Sequence, residues 1–544
     1  MKILLSTVLV MFLFACNSSS QDNGDGNGSP KPESQKKVSK RDLSITAANA
    51  YNDIFLDSTA LLNYFKETNA NDTIVRRMTS FYNARNYQYA WFSSEGLTEQ
   101  ARGFWNLHNY QTVHVGDSTL ADKELKKYMD NIITSGRMRV DASNKKIRDT
   151  EFKLTEDFIT YMLNNVEDGY VKRKEMERFV PRKKEDPLYL ADSLITKKHK
   201  DDKYYEQVNE SYGRLKIALK HYYDVAKTGG WPEITVKAKS LKKGTSSPEI
   251  AKLKKRLQLS GDLAGNDTSS VFNDTLVAGI KSFQARFGYT ADGVLTDAQI
   301  RDLNVPAVER VKQILVNMGR MTWMINEPKG RLIMVNIPEF VLHVKDGAKD
   351  VFTMDVVVGK EGNNTMMFTG NLNQVVFSPY WNVPPSIVRE EILPAMNRNP
   401  GYLSSQNMEV TSSGGELPSV RQRPGPGNAL GKVKFLFPNS FNIYFHDTPA
   451  KSLFKKDKRA FSHGCIRLSE PKKMAEYLLS GHPEWTSERI QEAMDSGSEK
   501  YVKLNDPVPV LITYYTAWVD DGGKLHFRED IYDHDKKVMA KMFP

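Results

Sequence analysis

The sequence predicts a multidomain α+β protein: a helical scaffold domain, then a three-helix module, then a mostly β domain with a lid-like insertion. Three observations predict it. Apolar residues recur three and four apart from Leu43 to Trp231, a compact run dense in helix caps follows, and beyond about residue 331 the period drops to two among β-forming residues. The length agrees, since 544 residues at 40% hydrophobic content suffice for about three or four domains with cores of their own. Two cysteines, Cys16 and Cys465, exclude a disulfide framework, and Lys+Arg 76 against Asp+Glu 66 leaves +10 with both signs interleaved. So mild a bias fits an anionic polymer or membrane surface and argues against nucleic acid, which calls for a clustered basic stripe.

Met1-Lys2 and the apolar run from Ile3 to Ala15 fit a signal peptide, being too short to span a bilayer as a lone helix. The ending Leu13-Phe14-Ala15-Cys16 resembles a bacterial lipobox. That resemblance implies a lipoprotein signal over 1–16, with Cys16 lipid-modified as the new first residue; an ordinary secretory signal is the other reading. Residues 17–42 are rich in Ser, Asn, Gly, Asp and Pro, as a flexible tether needs to be. The remainder is expected to be exported and soluble.

Residues 43–237 read as the helical scaffold, with stretches such as Leu215 to Tyr222 that each have one face to bury. The charge-dense run Lys172 to Lys203 reads as a solvated face or loop. Residues 238–305 form the three-helix module: Ser247 stands as N-cap before Pro248, Asn273 or Asp274 caps the second helix, Gly288 ends it, and Thr296 with Gln299 forms a capping box. A connecting helix over 306–330 leads into the β domain, 331–515. Strands are expected at Leu332 to Ile337, Phe340 to Lys345, Val351 to Val358, Gln374 to Phe377, Lys434 to Phe437, Asn442 to His446 and Val508 to Tyr515, with a hairpin turn at Asp346-Gly347. The Pro-, Gly- and Asn-rich stretch 386–431 interrupts the pattern and reads as a lid or binding loop, or as disorder. Residues 516–544 are a C-terminal extension.

Chemistry concentrates between His446 and Leu468. Phe445-His446-Asp447 ends one strand, and sixteen residues lie between His446 and His463 of Ser462-His463-Gly464-Cys465-Ile466-Arg467-Leu468. A Cys and a His brought together by folding are the minimal parts of a thiol acyl-transfer site. Gly464 admits close approach of a carbonyl, and the Cys465 N–H is a candidate oxyanion donor. Ser469 is a candidate cap for a helix over Glu470 to Ser480, whose dipole would favour a thiolate. At this level a buried structural cysteine, half of a bridge and a zinc site remain alternatives. Zinc is disfavoured because no fourth ligand stands at standard spacing, and no cofactor is expected.

Two resemblances then sharpen the reading. Phe283-Gln284, Gly288 and Asp292-Gly293-Val294-Leu295-Thr296 resemble the peptidoglycan-binding domain type 1 family. His446 followed by Ser462-His463-Gly464-Cys465-Ile466-Arg467 resembles the signature of L,D-transpeptidases with a YkuD-like catalytic domain, and Trp381-Asn382-Val383-Pro384-Pro385, Asn399-Pro400-Gly401-Tyr402, Pro424 to Asn428 and Tyr514 to Trp518 resemble its YcbB-type branch. The resemblance implies Cys465 as nucleophile, His446 as proton acceptor and donor, the Asp447 carbonyl as its orienter, and the amides of Gly464 and Cys465 as oxyanion donors. His463 would shape the cleft or serve as the alternative base. Arg467, Ser462, Tyr444, Trp381 and Asn382 would bind substrate. The implied partners are peptidoglycan stem peptides and glycan, with a membrane held through Cys16 on the periplasmic side, at the outer membrane. Cross-linking of third residues in two stems is the implied outcome. Hydrolysis, attachment of a protein to the wall, or mere wall binding are the alternatives.

Overall fold

The structure is a computed structural model that describes residues 38–135, 139–165, 179–196, 210–323, 330–347 and 349–544. The signal segment with Cys16, most of the tether, and much of the Lys172 to Lys203 run lie outside the described residues.

The scaffold is built from helices including Ser58–Thr68, Asp72–Ala84, Glu99–Tyr110, Lys145–Asn165 and Glu210–Lys227. Side chains of Asp57, Asn71 and Thr98 accept the first free amides of the first three, which stops each helix from fraying at its start. At the centre, the fully buried Glu151 accepts from the amides of Ala90 (2.6 Å) and Trp91 (2.9 Å). Those bonds fix the turn that delivers Trp91 onto Phe104 and Phe158, ring centroids 5.3 and 5.6 Å away.

In the three-helix module, Pro248–Leu259, Asp274–Arg286 and Asp297–Leu303 bury Ile250, Leu253, Leu276, Ile280 and Phe283. Asn273, not Asp274, caps the second helix, and the Thr296–Gln299 capping box is complete. Ser247 occupies the N-cap position but makes no side-chain capping bond. Pro248 supplies no amide there, so one donor fewer needs a partner.

The connecting helix Ala307–Met321 and the C-terminal extension join everything else. The extension forms a hairpin, Ala517–Val519 with Leu525–Phe527, and a final helix, His534–Met542. Phe527 meets Tyr222 of the scaffold edge-on and Phe287 of the module at a tilt, each with ring centroids 5.5 Å apart. Consequently one continuous apolar cluster runs through scaffold, module, connecting helix and extension, where separate cores were expected. Arg320, nearly buried, donates to Glu99 (2.6 Å) of the scaffold and to Asp535 of the extension.

The β domain holds strands β3 (Arg331–Asn336), β4 (Val341–Asp346), β5 (Lys349–Gly359), β6 (Phe368–Phe377), β10 (Val433–Leu436), β11 (Phe445–His446), β12 (Ala460–Ser462), β13 (Ile466–Leu468) and β14 (Lys500–Thr513), numbered after the short scaffold pair β1 (Phe92–Ser93) and β2 (Gly96–Leu97). Among the described residues their order is β12-β5-β13-β11-β10-β6-β14-β3-β4. Because β4 pairs with β5 as well as β3, the sheet closes on itself around Val335, Val356, Val375, Phe435 and Ile466. β12 and β13 were not expected, and three of the expected strands differ in extent. β11 is only two residues long, because Asn442 takes a left-handed φ of 54° and the Asn439 side chain accepts the amides of Phe441 and Ile443. β6 starts earlier, its Gly and Asn content having masked the alternation, and β14 starts at Lys500 and passes through a register shift between Lys503 and Val508.

The insertion is ordered, with its own strands β7 (Trp381–Asn382), β8 (Met408–Ser412) and β9 (Ser419–Gln422), in the order β7-β9-β8. Helical turns at 385–398 and 402–405 cover this small sheet. Val383, Ile387, Val388, Ile392 and Val420 give it a core of its own.

Removing the Arg320 guanidinium leaves the buried Asp535 and the partly buried Glu99 carboxylates without their cation. Arg320→Ala should cost about 3–5 kcal/mol, seen as a lower midpoint of urea unfolding; a wild-type midpoint would refute this structural role.

Candidate active site

Parallel pairing of β11 with β13 builds the site. The register sets Phe445 opposite Ile466 and His446 opposite Arg467, and the Ile466 amide donates to the Tyr444 carbonyl (3.2 Å). Residues far apart in sequence thus share one end of the sheet, with Tyr444 beside Cys465.

The imidazole is held from one side. His446 Nδ1 lies 2.5 Å from the Asp447 carbonyl oxygen, which can only accept, so Nδ1 carries the hydrogen and Nε2 carries the lone pair. The Asp447 carboxylate serves elsewhere: it accepts from the Lys432 amide (2.9 Å) and pairs with Lys451 (2.7 Å). That grips the chain where the insertion rejoins the sheet. Burial, then the Arg467 guanidinium, push the His446 imidazole down to about 3. It is neutral at rest.

Cys465 is half-buried and is the free thiol of the described residues. Its Sγ lies 3.7 Å from the Asn442 carbonyl and neighbours Tyr444, whose ring centroid is 5.7 Å from that of His446. Burial raises the thiol above its ordinary 9.0, against the opposing pull of Tyr444 and Arg467. No hydrogen bond joins imidazole to thiol in this resting arrangement. Burial lowers the Arg467 guanidinium, which forms no ion pair among the described residues and whose buried Nε has no acceptor.

The loop around Gly464 departs from expectation in two respects. Ser462 Oγ, expected at the substrate, donates to the Cys465 carbonyl (2.6 Å) and accepts the Gly464 amide (3.1 Å), so it is committed within the loop. Of the two amides implied as oxyanion donors, that of Gly464 is therefore engaged. The Cys465 amide has no acceptor among the described residues. Gly464 has φ of 115° yet ample space around a would-be Cβ, so backbone conformation, not crowding, demands glycine.

The other expected residues lie further out. His463 is exposed and pairs with Glu391 of the insertion at 3.0 Å, tying loop to lid. Trp381 and Asn382 pair with Gln422 and Arg421 within the insertion's sheet. Ser469 does not cap the following helix: Pro471–Leu478 has Glu470 at its N-cap with no side-chain bond, while the Ser469 amide donates to Asp355. β13 intervenes between Cys465 and that helix, so no dipole contact with the thiol is carried over. Sequence reasoning missed Asn442, whose only signal was an Asn cluster before the strand, and Glu391. Among the described residues no group of three or more His, Cys, Asp or Glu could hold a metal.

A neutral imidazole, a protonated thiol and a guanidinium with no ion pair among the described residues thus share one sheet end. Residues 330–508 match the family described as "L,D-transpeptidase catalytic domain" (YkuD), residues 246–303 match the family described as "Putative peptidoglycan binding domain", and residues 76–219 match the family described as "Scaffold domain". A protein of Haemophilus influenzae named "Putative L,D-transpeptidase" is 31% identical over 222 residues, 38% of this chain. The match spans 45% of that protein's length. Among solved structures, an L,D-transpeptidase from Mycobacterium smegmatis is 15% identical over 34% of this chain and 58% of its own, at TM-score 0.20. One from Stackebrandtia nassauensis is 14% identical over 52% of this chain and 96% of its own, at TM-score 0.21. No helix among the described residues is long and apolar enough to cross a membrane.

Two pH dependences follow. Folded His446 sits near 3 against an ordinary 6.5, so between these values the unfolded chain binds the extra proton. Its contribution to stability is full above pH 6.5 and is lost as pH falls toward 3. The urea midpoint should therefore fall more steeply on acidification in wild type than in His446→Gln; equal slopes would contradict a buried neutral imidazole. Alkylation of Cys465 by iodoacetamide should climb with pH through a midpoint above the ordinary 9.0, whereas full reactivity at neutral pH would reveal a resting thiolate.

Proposed function

We propose that this chain cross-links peptidoglycan by L,D-transpeptidation, with Cys465 as nucleophile. The observation that carries the reading is the parallel β11–β13 pairing, which brings the Asp447-oriented imidazole of His446 and the thiol of Cys465 to the same sheet end. In the first step Nε2 takes the thiol proton as Sγ bonds to the carbonyl joining the third stem residue, a diamino acid, to D-Ala. The C–N bond breaks, and His446 returns the proton to the departing D-Ala amine. The side-chain amine of a second stem then attacks the thioester, the C–S bond breaks, and the thiol regains a proton.

The remaining roles follow from local chemistry. The Cys465 amide stabilises the oxyanion. Tyr444 neighbours the thiol, and Arg467, which has no ion-pair partner among the described residues, takes an anionic group of the stem. Trp381 and Asn382, at the root of the insertion, line the outer cleft, and His463 anchors the insertion through Glu391. The 246–303 module keeps the enzyme on the wall, and lipid on Cys16 keeps it at the periplasmic face of the outer membrane.

Incubation with a carbapenem should add one drug mass to wild type and none to Cys465→Ala. An unmodified wild type sinks the acyl-transfer reading. With tetrapeptide-containing substrate, muropeptide analysis should show dimers joined through third residues; tripeptide alone would instead indicate hydrolysis.

A further inference from the structure

The peptide joining Gly464 to Cys465 decides where the unpartnered Cys465 N–H points. Glycine on its N-terminal side, at φ of 115°, leaves that peptide free to rotate unless something outside the loop holds it. Ser462 holds the peptides on either side, through the Gly464 amide and the Cys465 carbonyl, but not this one.

Thr365 holds it. Its Oγ1 lies 2.8 Å from the Gly464 carbonyl oxygen and 2.9 Å from the Gly359 amide nitrogen. A hydroxyl has one hydrogen, and the Gly359 N–H can only donate, so the Thr365 hydrogen must go to the Gly464 carbonyl. Tyr532 repeats this logic one step further out: its hydroxyl accepts the Thr365 amide (3.2 Å) and donates to the Gly359 carbonyl (2.5 Å). Thr365 is 1% and Tyr532 4% exposed, so water does not compete. Gly359 itself must be glycine, because a Cβ there would collide with the Asn363 carbonyl as the loop turns back to present Thr365.

In a trans peptide C=O and N–H point in opposite directions. Anchoring the Gly464 carbonyl in the buried Thr365 loop therefore turns the Cys465 N–H outward, away from the core. We infer that Thr365, buttressed by Tyr532 from the C-terminal extension, is a positioning residue that aims the Cys465 amide at the oxyanion formed during acyl transfer. Tyr532 lies beyond residues 330–508, so the extension completes the site that the catalytic domain contains. This inference rests on Cys465 being the acyl-transfer nucleophile.

The test separates oxyanion stabilisation from thiol reactivity in the full chain. Carbapenem acylation forms an Sγ–C bond at the lactam carbonyl, breaks the lactam C–N bond and leaves the thiol proton on that nitrogen, passing through an oxyanion. Iodoacetamide alkylation displaces iodide at a saturated carbon and has no oxyanion. Thr365→Val keeps the shape and removes the hydroxyl, and should slow acylation roughly 10- to 100-fold while leaving alkylation unchanged. Thr365→Ser should restore acylation, and Tyr532→Phe should slow it in the same selective way, which keeps the test decisive even if the valine variant folds poorly. Wild-type acylation rates in both Thr365→Val and Tyr532→Phe, or a matching loss of alkylation, overturn the inference. A wild type that takes up no carbapenem instead overturns the nucleophile reading, and the inference falls with it.

Discussion

A single guanidinium ties the architecture together. Arg320, at the end of the connecting helix, lies between Glu99 of the scaffold and Asp535 of the final helix, and Asp535 also accepts from Thr516. Desolvating three charged groups is costly, and the bonds offset that cost only while all partners stay in place. The arrangement thus favours one docking of the extension against the scaffold. Three residues before Asp535 stands Tyr532, whose hydroxyl braces the Thr365 loop. Placement of the active-site loop accordingly depends on a contact outside the catalytic sheet.

Within the site, burial dominates the electrostatics. It keeps the imidazole neutral and the thiol protonated, and Arg467 reinforces the first effect while opposing the second. The resting state is consequently a neutral pair. A neutral thiol is less prone to oxidation than a thiolate. The same charge on Arg467 that discourages an imidazolium favours a developing thiolate or a substrate carboxylate.

Legibility in the sequence followed the range of the interactions. Helix caps act within three residues, so Asn273, Thr296 and Gln299 were readable directly. Ser469 was misread and Ser247 only half read for a related reason: a capping residue type marks an opportunity, and Ser247 holds the N-cap position without a side-chain bond while Glu470 takes the position expected of Ser469. Strand β11 was overestimated because the left-handed Asn442 breaks the extended run in a way that alternation does not register. The insertion looked irregular since its strands are short and its core small, yet five buried apolar side chains, with six partly buried ones packed against them, order it. Ser462 was recognised as part of the site, but its hydroxyl is used to brace the loop.

By itself the sequence determined the α+β organisation, the capped three-helix module, and a Cys and a His as candidate chemistry within one short stretch, because each rests on spacing along the chain. Tertiary structure decided which groups that chemistry meets. Only the β11–β13 register puts Tyr444 beside the thiol and Arg467 opposite His446, only folding brings Glu391 to His463, and only the closed sheet and docked extension bring Thr365 and Tyr532 to Gly464. These contacts join residues up to 173 positions apart. No local pattern encodes such distances, and burial, which sets the protonation of both His446 and Cys465, exists only once the chain has folded.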